Sequence, residues 1–265
     1  MITHLPKELV PIAKLSPDDP TTVEVFECCT NSRRIARLGI VLVALLALPV
    51  PGCHSTPHHQ STAIQQETHY PAHWWTPVSK EGAPAWEILP QEARPGEVIL
   101  SKRNELGLLS NFAPTPFTFR GQRYASLEGF WQMMRYPENT NDVRATFPGL
   151  QWAYTREEVA QLTSFAAKKA GTLAEANMKQ MGITWVTFEG ERMEYRSTVP
   201  GAHYQLIVAA TWEKVRQNPD VKQVLLATGG LVLKPDHHQE TNAPAAWRYY
   251  EILTEIRAKL QQTAR

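Results

Sequence analysis

Glu128 is the residue of this chain best placed for chemistry. It follows Ser126 and Leu127 and opens a run of Phe130, Trp131, Met133 and Met134, with Gln132 between them. A carboxylate in apolar surroundings is pushed toward its neutral form and becomes a poised acid or base. A glutamate in the first turn of a helix is also favourable through the helix dipole alone, so burial decides between the two roles. Gln132 lies four residues on, on the same helix face, where its amide can orient the carboxylate.

The elements that must position Glu128 are readable on either side. Residues 96–100 form a short apolar strand. Residues 117–119 and 123–125 flank a turn at Gly121, a hairpin signal. Ser126 can cap the helix that follows. Thr155 and Glu158 have capping-box spacing and open another helix, with a break near Thr163 and helical pattern on to residue 181. Residues 183–188 read as a strand and 203–217 as an amphipathic helix ended by Asn218-Pro219. Asp220 is a cap for 221–227, and Gly229-Gly230 stops that helix. A strand at 231–233 and a helix at 244–262, with Pro at its start, complete the pattern. Helices outnumber short strands, so the fold class is α+β: a mostly helical domain with a few short strands.

The domain lies behind a long leader. In this chain of 265 residues, Arg33, Arg34 and Arg37 precede an apolar run at 38–50 and a small-residue exit to Cys53. That is the layout of a secretory signal, and the run is shorter than the ~20 residues that span a bilayer. The exit resembles a bacterial lipobox, which would make Cys53 a lipidated N-terminus. The expected organisation is a leader at 1–52, a tether at 53–95 and a domain at 96–265, on a protein anchored in the bacterial cell envelope, facing the periplasm. A misassigned start would instead leave the protein cytoplasmic. The tether is rich in Pro, Ser, Thr, Gln and His. Its histidines 54, 58, 59, 69 and 73 have no metal-site spacing, and no metal is expected. The three cysteines, Cys28, Cys29 and Cys53, leave the domain without a thiol nucleophile or a disulfide. A net charge of +1 gives no surface for nucleic acid. Neither a P-loop nor a G-x-G-x-x-G occurs, so Walker and Rossmann nucleotide sites are unsupported.

The order of short motifs resembles the NADAR (NAD- and ADP-ribose-associated), or YbiA-like, family. The matching residues are the strand at 99–102, Ser110-Asn111-Phe112, the strand at 116–119, Gly121, Glu128-Gly129-Phe130-Trp131-Gln132, and later Leu225-Leu226-Ala227-Thr228-Gly229 before Leu231-Val232. The resemblance covers roughly 96–257. Three features depart from it. A family tryptophan that would fall near Arg196 is absent. Leu233 stands where the family has a glutamate, and no Trp-Gly follows the late strand. Asp236, His237 and His238 fall in that region instead.

The resemblance implies an N-glycosidase that hydrolyses an N-ribosyl or ADP-ribosyl bond of a nucleotide-like small molecule, with no cofactor. Such cleavage passes through an oxocarbenium-like sugar and needs a carboxylate beside C1′, a positioned water and an acid for the leaving base. The family glutamate maps to Glu128, and Asp236 is the candidate second carboxylate. His237 or His238 could serve as the acid. Lys102 and Arg103 could bind phosphate, with Lys168 or Lys169 adding to them. Ser110, Asn111, Phe112 and Gln132 line the substrate side, and Phe112 could stack on a base. The altered late loop leaves a second expectation open: an ADP-ribose or NAD-type binding module without turnover.

Overall fold

The computed structural model describes residues 70–263; the leader, Cys53 and four of the five tether histidines lie outside them. In chain order the elements are β1 (Glu97–Ile99), β2 (Phe117–Phe119), β3 (Gln122–Tyr124), α1 (Leu127–Met133), α2 (Arg156–Ala160), α3 (Ser164–Gln180), β4 (Trp185–Phe188), β5 (Glu191–Glu194), α4 (Ala202–Gln217), α5 (Pro219–Ala227), β6 (Val232–Lys234) and α6 (Tyr249–Thr263). The class is α+β: helices with three two-stranded sheets.

Two sheets are hairpins. β2 pairs with β3 across Arg120 and Gly121, both at positive φ, and β4 pairs with β5 across Glu189 and Gly190, again both at positive φ. Two successive left-handed residues are what a type I′ turn needs to match the twist of its strands. The third sheet joins β1 to β6 in parallel, with Val98 opposite Leu233. That non-local pairing brings the loop after β1 beside the loop after β6.

All seven residues of α1 are buried, as suits a helix that is apolar nearly all round. Ser126 caps it: its hydroxyl accepts from Gly129 N–H at 2.9 Å and donates to the Leu162 carbonyl at 2.8 Å. Gly129 is required by close approach, since a Cβ there would stand 2.5 Å from the Leu162 oxygen. Phe130 of α1 packs with Phe117, Phe119, Tyr124 and Phe188 in edge-on, tilted and stacked pairs with centroids 4.8–6.2 Å apart. The Thr155–Glu158 capping box forms in both directions, and the break at Thr163 separates α2 from α3.

Several boundaries differ from the sequence expectation. α5 begins at Pro219 after Asn218, not at an Asp220 cap; the Asn218 amide instead donates to the Pro116 and Lys214 carbonyls, joining α4 to β2. The last helix starts at Tyr249, because Ala245–Trp247 form a separate 3-10 turn broken at Arg248. The largest correction concerns the tether. From Tyr70 on, the chain is folded onto the domain: Trp74 and Leu89 are buried in it, Trp75 Nε1 donates to the Glu97 carbonyl at 2.9 Å, and the Tyr70 hydroxyl accepts from Gly230 N–H at 3.1 Å. His73 hydrogen-bonds Glu105 at 2.6 Å. The Pro-rich composition hid this segment because its anchors are contacts with β1 and α5, far away in sequence.

Candidate functional site

Two buried carboxylates mark the region, and the charge of one lysine, Lys102, acts on both. The first is Glu128, second residue of α1 and 6% exposed. Its backbone N–H donates to the Asn111 carbonyl at 2.9 Å, which ties the Ser-Asn-Phe loop to the helix start. Gln132 Nε2 donates to Glu128 Oε1 at 2.7 Å. The Gln132 side chain lies against Gly171 of α3, where a Cβ would sit 1.8 Å from Gln132 Oε1, so only glycine leaves room for this amide. Burial pushes the Glu128 carboxyl above its ordinary range; the Gln132 bond and the charges of Lys168, Arg135 and Lys102 offset only part of that.

The second carboxylate is Asp236, 2% exposed, on the loop that leaves β6. Lys102, on the loop that leaves β1, donates its ammonium to Asp236 Oδ2. His237 Nδ1 lies 3.0 Å from Asp236 Oδ1, and the Tyr249 hydroxyl donates to the same oxygen at 3.3 Å. Gln239 Nε2 lies 3.3 Å from His237 Nε2 and donates to the Trp247 carbonyl at 3.1 Å. This network fits a His237 that donates from Nδ1 and accepts at Nε2. Burial pushes Asp236 up, but the His237 hydrogen bond and the charge and hydrogen bond of Lys102 outweigh it, so its carboxyl lies below the usual range. Burial and the Asp236 charge raise Tyr249 well above its ordinary value, which keeps it a phenol and a donor.

The two carboxylates therefore differ in kind. Asp236 is held ionised by its donors. Glu128 is held toward its protonated form, and the Lys102 charge acts on both. The Lys102 ammonium also lies 5.2 Å from the centroid of Phe112 and 6.0 Å from that of Trp86.

Of the residues singled out in the sequence, Lys102, Phe112, Glu128, Gln132, Asp236 and His237 share this region. Ser110 and Asn111 contribute mainly backbone: Ser110 is buried, its hydroxyl accepts from Phe112 N–H at 3.2 Å, and its carbonyl accepts from Lys214. Arg103 is turned aside into a two-bond pair with Glu87, both at 2.7 Å. The His238 side chain is exposed.

Sequence reasoning did not pick out Tyr249, Arg135, Lys214 or Trp86. Lys214 carried a signal: it falls on the apolar α4 stripe with Ile207, Ala210 and Thr211, where a charge is out of place. It is fully buried and donates to the Ser110 carbonyl at 2.6 Å, and burial lowers its ammonium to about 7. Arg135 likewise follows Met133 and Met134. It donates to the Gly171 carbonyl at 2.8 Å and lies 4.4 Å above the Tyr195 ring.

A surface depression of about 370 Å³ adjoins the Asp236 loop, lined among others by Lys234, His237, His238, Gln239 and Tyr250. A smaller one of about 240 Å³ lies at Arg120, Phe188 and Ala209. Glu128 lines neither.

The fold is an α+β domain that buries two carboxylates, one raised and one lowered in pKa. No protein-family profile matches the sequence, and no curated protein matches it. Among solved structures, the chain is similar to the NMR structure of the E. coli protein YbiA, at 18% identity and a TM-score of 0.40, over 63% of this chain and 86% of that one. The relationship is a distant structural one.

Proposed function

We propose that the chain is an N-glycosidase for an N-ribosyl or ADP-ribosyl bond of a nucleotide-like substrate, with Glu128 as its key carboxylate. The observation that supports this reading most is the contrast of two buried carboxylates: Glu128, oriented by Gln132 and raised in pKa, and Asp236, kept ionised and paired with Lys102, whose charge also acts on Glu128. Cleavage of the base–ribose bond leaves positive charge at C1′. In this mechanism the ionised form of Glu128 stabilises that charge and takes the proton of the water that adds to C1′, and its raised pKa makes that carboxylate a stronger base. The departing base takes its proton from Nε2 of His237 in its imidazolium form, freed from Gln239, while Asp236 holds the Nδ1–H. Lys102 has its side chain 30% exposed and can offer its remaining donors to a phosphate.

The second reading is a binding module for an ADP-ribose-like ligand. It is favoured by the Lys102–Asp236 pair, which occupies both groups, and by the absence of Glu128 from either depression. Incubating the full chain with phosphoribosyl-pyrimidine, ADP-ribosylated nucleobase and NAD, and following free base by chromatography, separates the two. Base release is the expected result. Saturable ADP-ribose binding with no release from any substrate would favour the binding module.

A further inference from the structure

Trp86 is the most exposed of the tryptophans, at 45%, yet it stands on pinned backbone. Its turn is closed by Glu87 N–H donating to the Pro84 carbonyl at 3.0 Å. On its own carbonyl it accepts from His238 N–H at 3.3 Å, and two residues on, Ile88 N–H donates to the Asp236 carbonyl at 2.8 Å. Between them, Glu87 forms an antiparallel bridge with His237 and holds Arg103 through both carboxylate oxygens. The residues around the indole thus fasten the loop of Lys102 to the loop of Asp236. Leaving a large ring in solvent forgoes hydrophobic stabilisation, and nothing in the local backbone requires it. The Lys102 ammonium lies 6.0 Å from its centroid and 5.2 Å from that of Phe112.

We infer that Trp86 is a ligand-contacting residue: its indole takes the planar base of a nucleotide-like ligand while Lys102 takes the ligand's anionic group. This rests on the nucleotide reading of the Glu128 site and names the wall that reads the base. An exposed indole and a partly exposed ammonium fit a ligand with one flat apolar face and one phosphate. Stacking on an aromatic ring tolerates any base, because every base has a π-face. Trp86 therefore sets affinity for ring-bearing ligands rather than choice among bases.

The test uses calorimetric titration of the full chain carrying Glu128→Gln, so that bound ligand is not consumed. The probes are adenosine 5′-monophosphate and ribose 5-phosphate, which differ by the ring. Adding Trp86→Ala should weaken the nucleotide by about ten-fold and leave ribose 5-phosphate unchanged. Trp86→Phe should restore most of the loss, and Lys102→Ala should weaken both probes. Nucleotide affinity unchanged by Trp86→Ala, an equal loss for both probes, or no binding of either probe would overturn the inference. If the Trp86 dependence appears but the unaltered chain releases no base from any substrate, the N-glycosidase reading falls while the contact stands.

Discussion

At the scale of single residues, the site works by contrast between like groups. Two carboxylates that both lie in the interior have opposite displacements, because Asp236 gathers an ammonium, an imidazole and a phenol while Glu128 gathers one amide. Lys214 is a second such case. It is a cation placed among apolar side chains, and it holds the Ser-Asn-Phe loop through the Ser110 carbonyl. Its folded pKa of about 7 lies below the ~10.4 of an unfolded lysine. Between these values the unfolded chain binds a proton that the native chain does not, so stability rises with pH across that window and the gain is absent below it. Lys214→Met should remove this rise, which amounts at most to about 1.4 kcal/mol per pH unit. Urea unfolding at the two ends of the window checks it, and an identical pH dependence in the variant would contradict the assigned burial.

At the scale of elements, the segment 70–95 is the part whose role changed most between sequence and structure. Trp74, in the 3-10 turn Ala72–Trp75, is 1% exposed and donates Nε1 to Glu105 at 2.6 Å. Trp74→Ala should therefore cost about 3–5 kcal/mol, read as a lowered midpoint in chemical denaturation; a shift within experimental error would mean that the segment is a tether after all. The hairpin at Gly121, the Ser126 cap and the Thr155–Glu158 box were legible in the sequence because each is a local pattern with a local cause. The Glu128–Gln132 contact was legible for the same reason, being one helical turn. The Lys102–Asp236 pair spans 134 positions and depends on the parallel match of β1 with β6, which no local pattern encodes. Tyr249 enters the site through its bond to Asp236, and Trp86 through the Glu87–His237 bridge, neither of which a local pattern encodes. The α5 start was misread because Pro219, read as the stop after α4, is also the first residue of α5, while the Asn218 amide bonds the Pro116 and Lys214 carbonyls rather than capping.

At the scale of the whole molecule, a net charge of +1 offers no argument for a polyanionic partner, and the partner proposed above is a small ligand. No helix among the described residues is long and apolar enough to cross a membrane. The lipid anchor at Cys53 lies outside those residues and is a proposal from the 38–53 pattern alone. Labelling with radioactive palmitate should mark the chain, and Cys53→Ala should abolish the label and release the protein from the membrane fraction; label retained in the variant would remove the anchor from the account. Through the substrate class, the whole proposal depends on Glu128. The most direct measurement is the rate of base release by Glu128→Gln beside the unaltered chain, on whichever ribosyl substrate the latter turns over, with both melting curves recorded. The account predicts release reduced by a factor of at least about 10² with the melt preserved, whereas full release in a folded Glu128→Gln would contradict it.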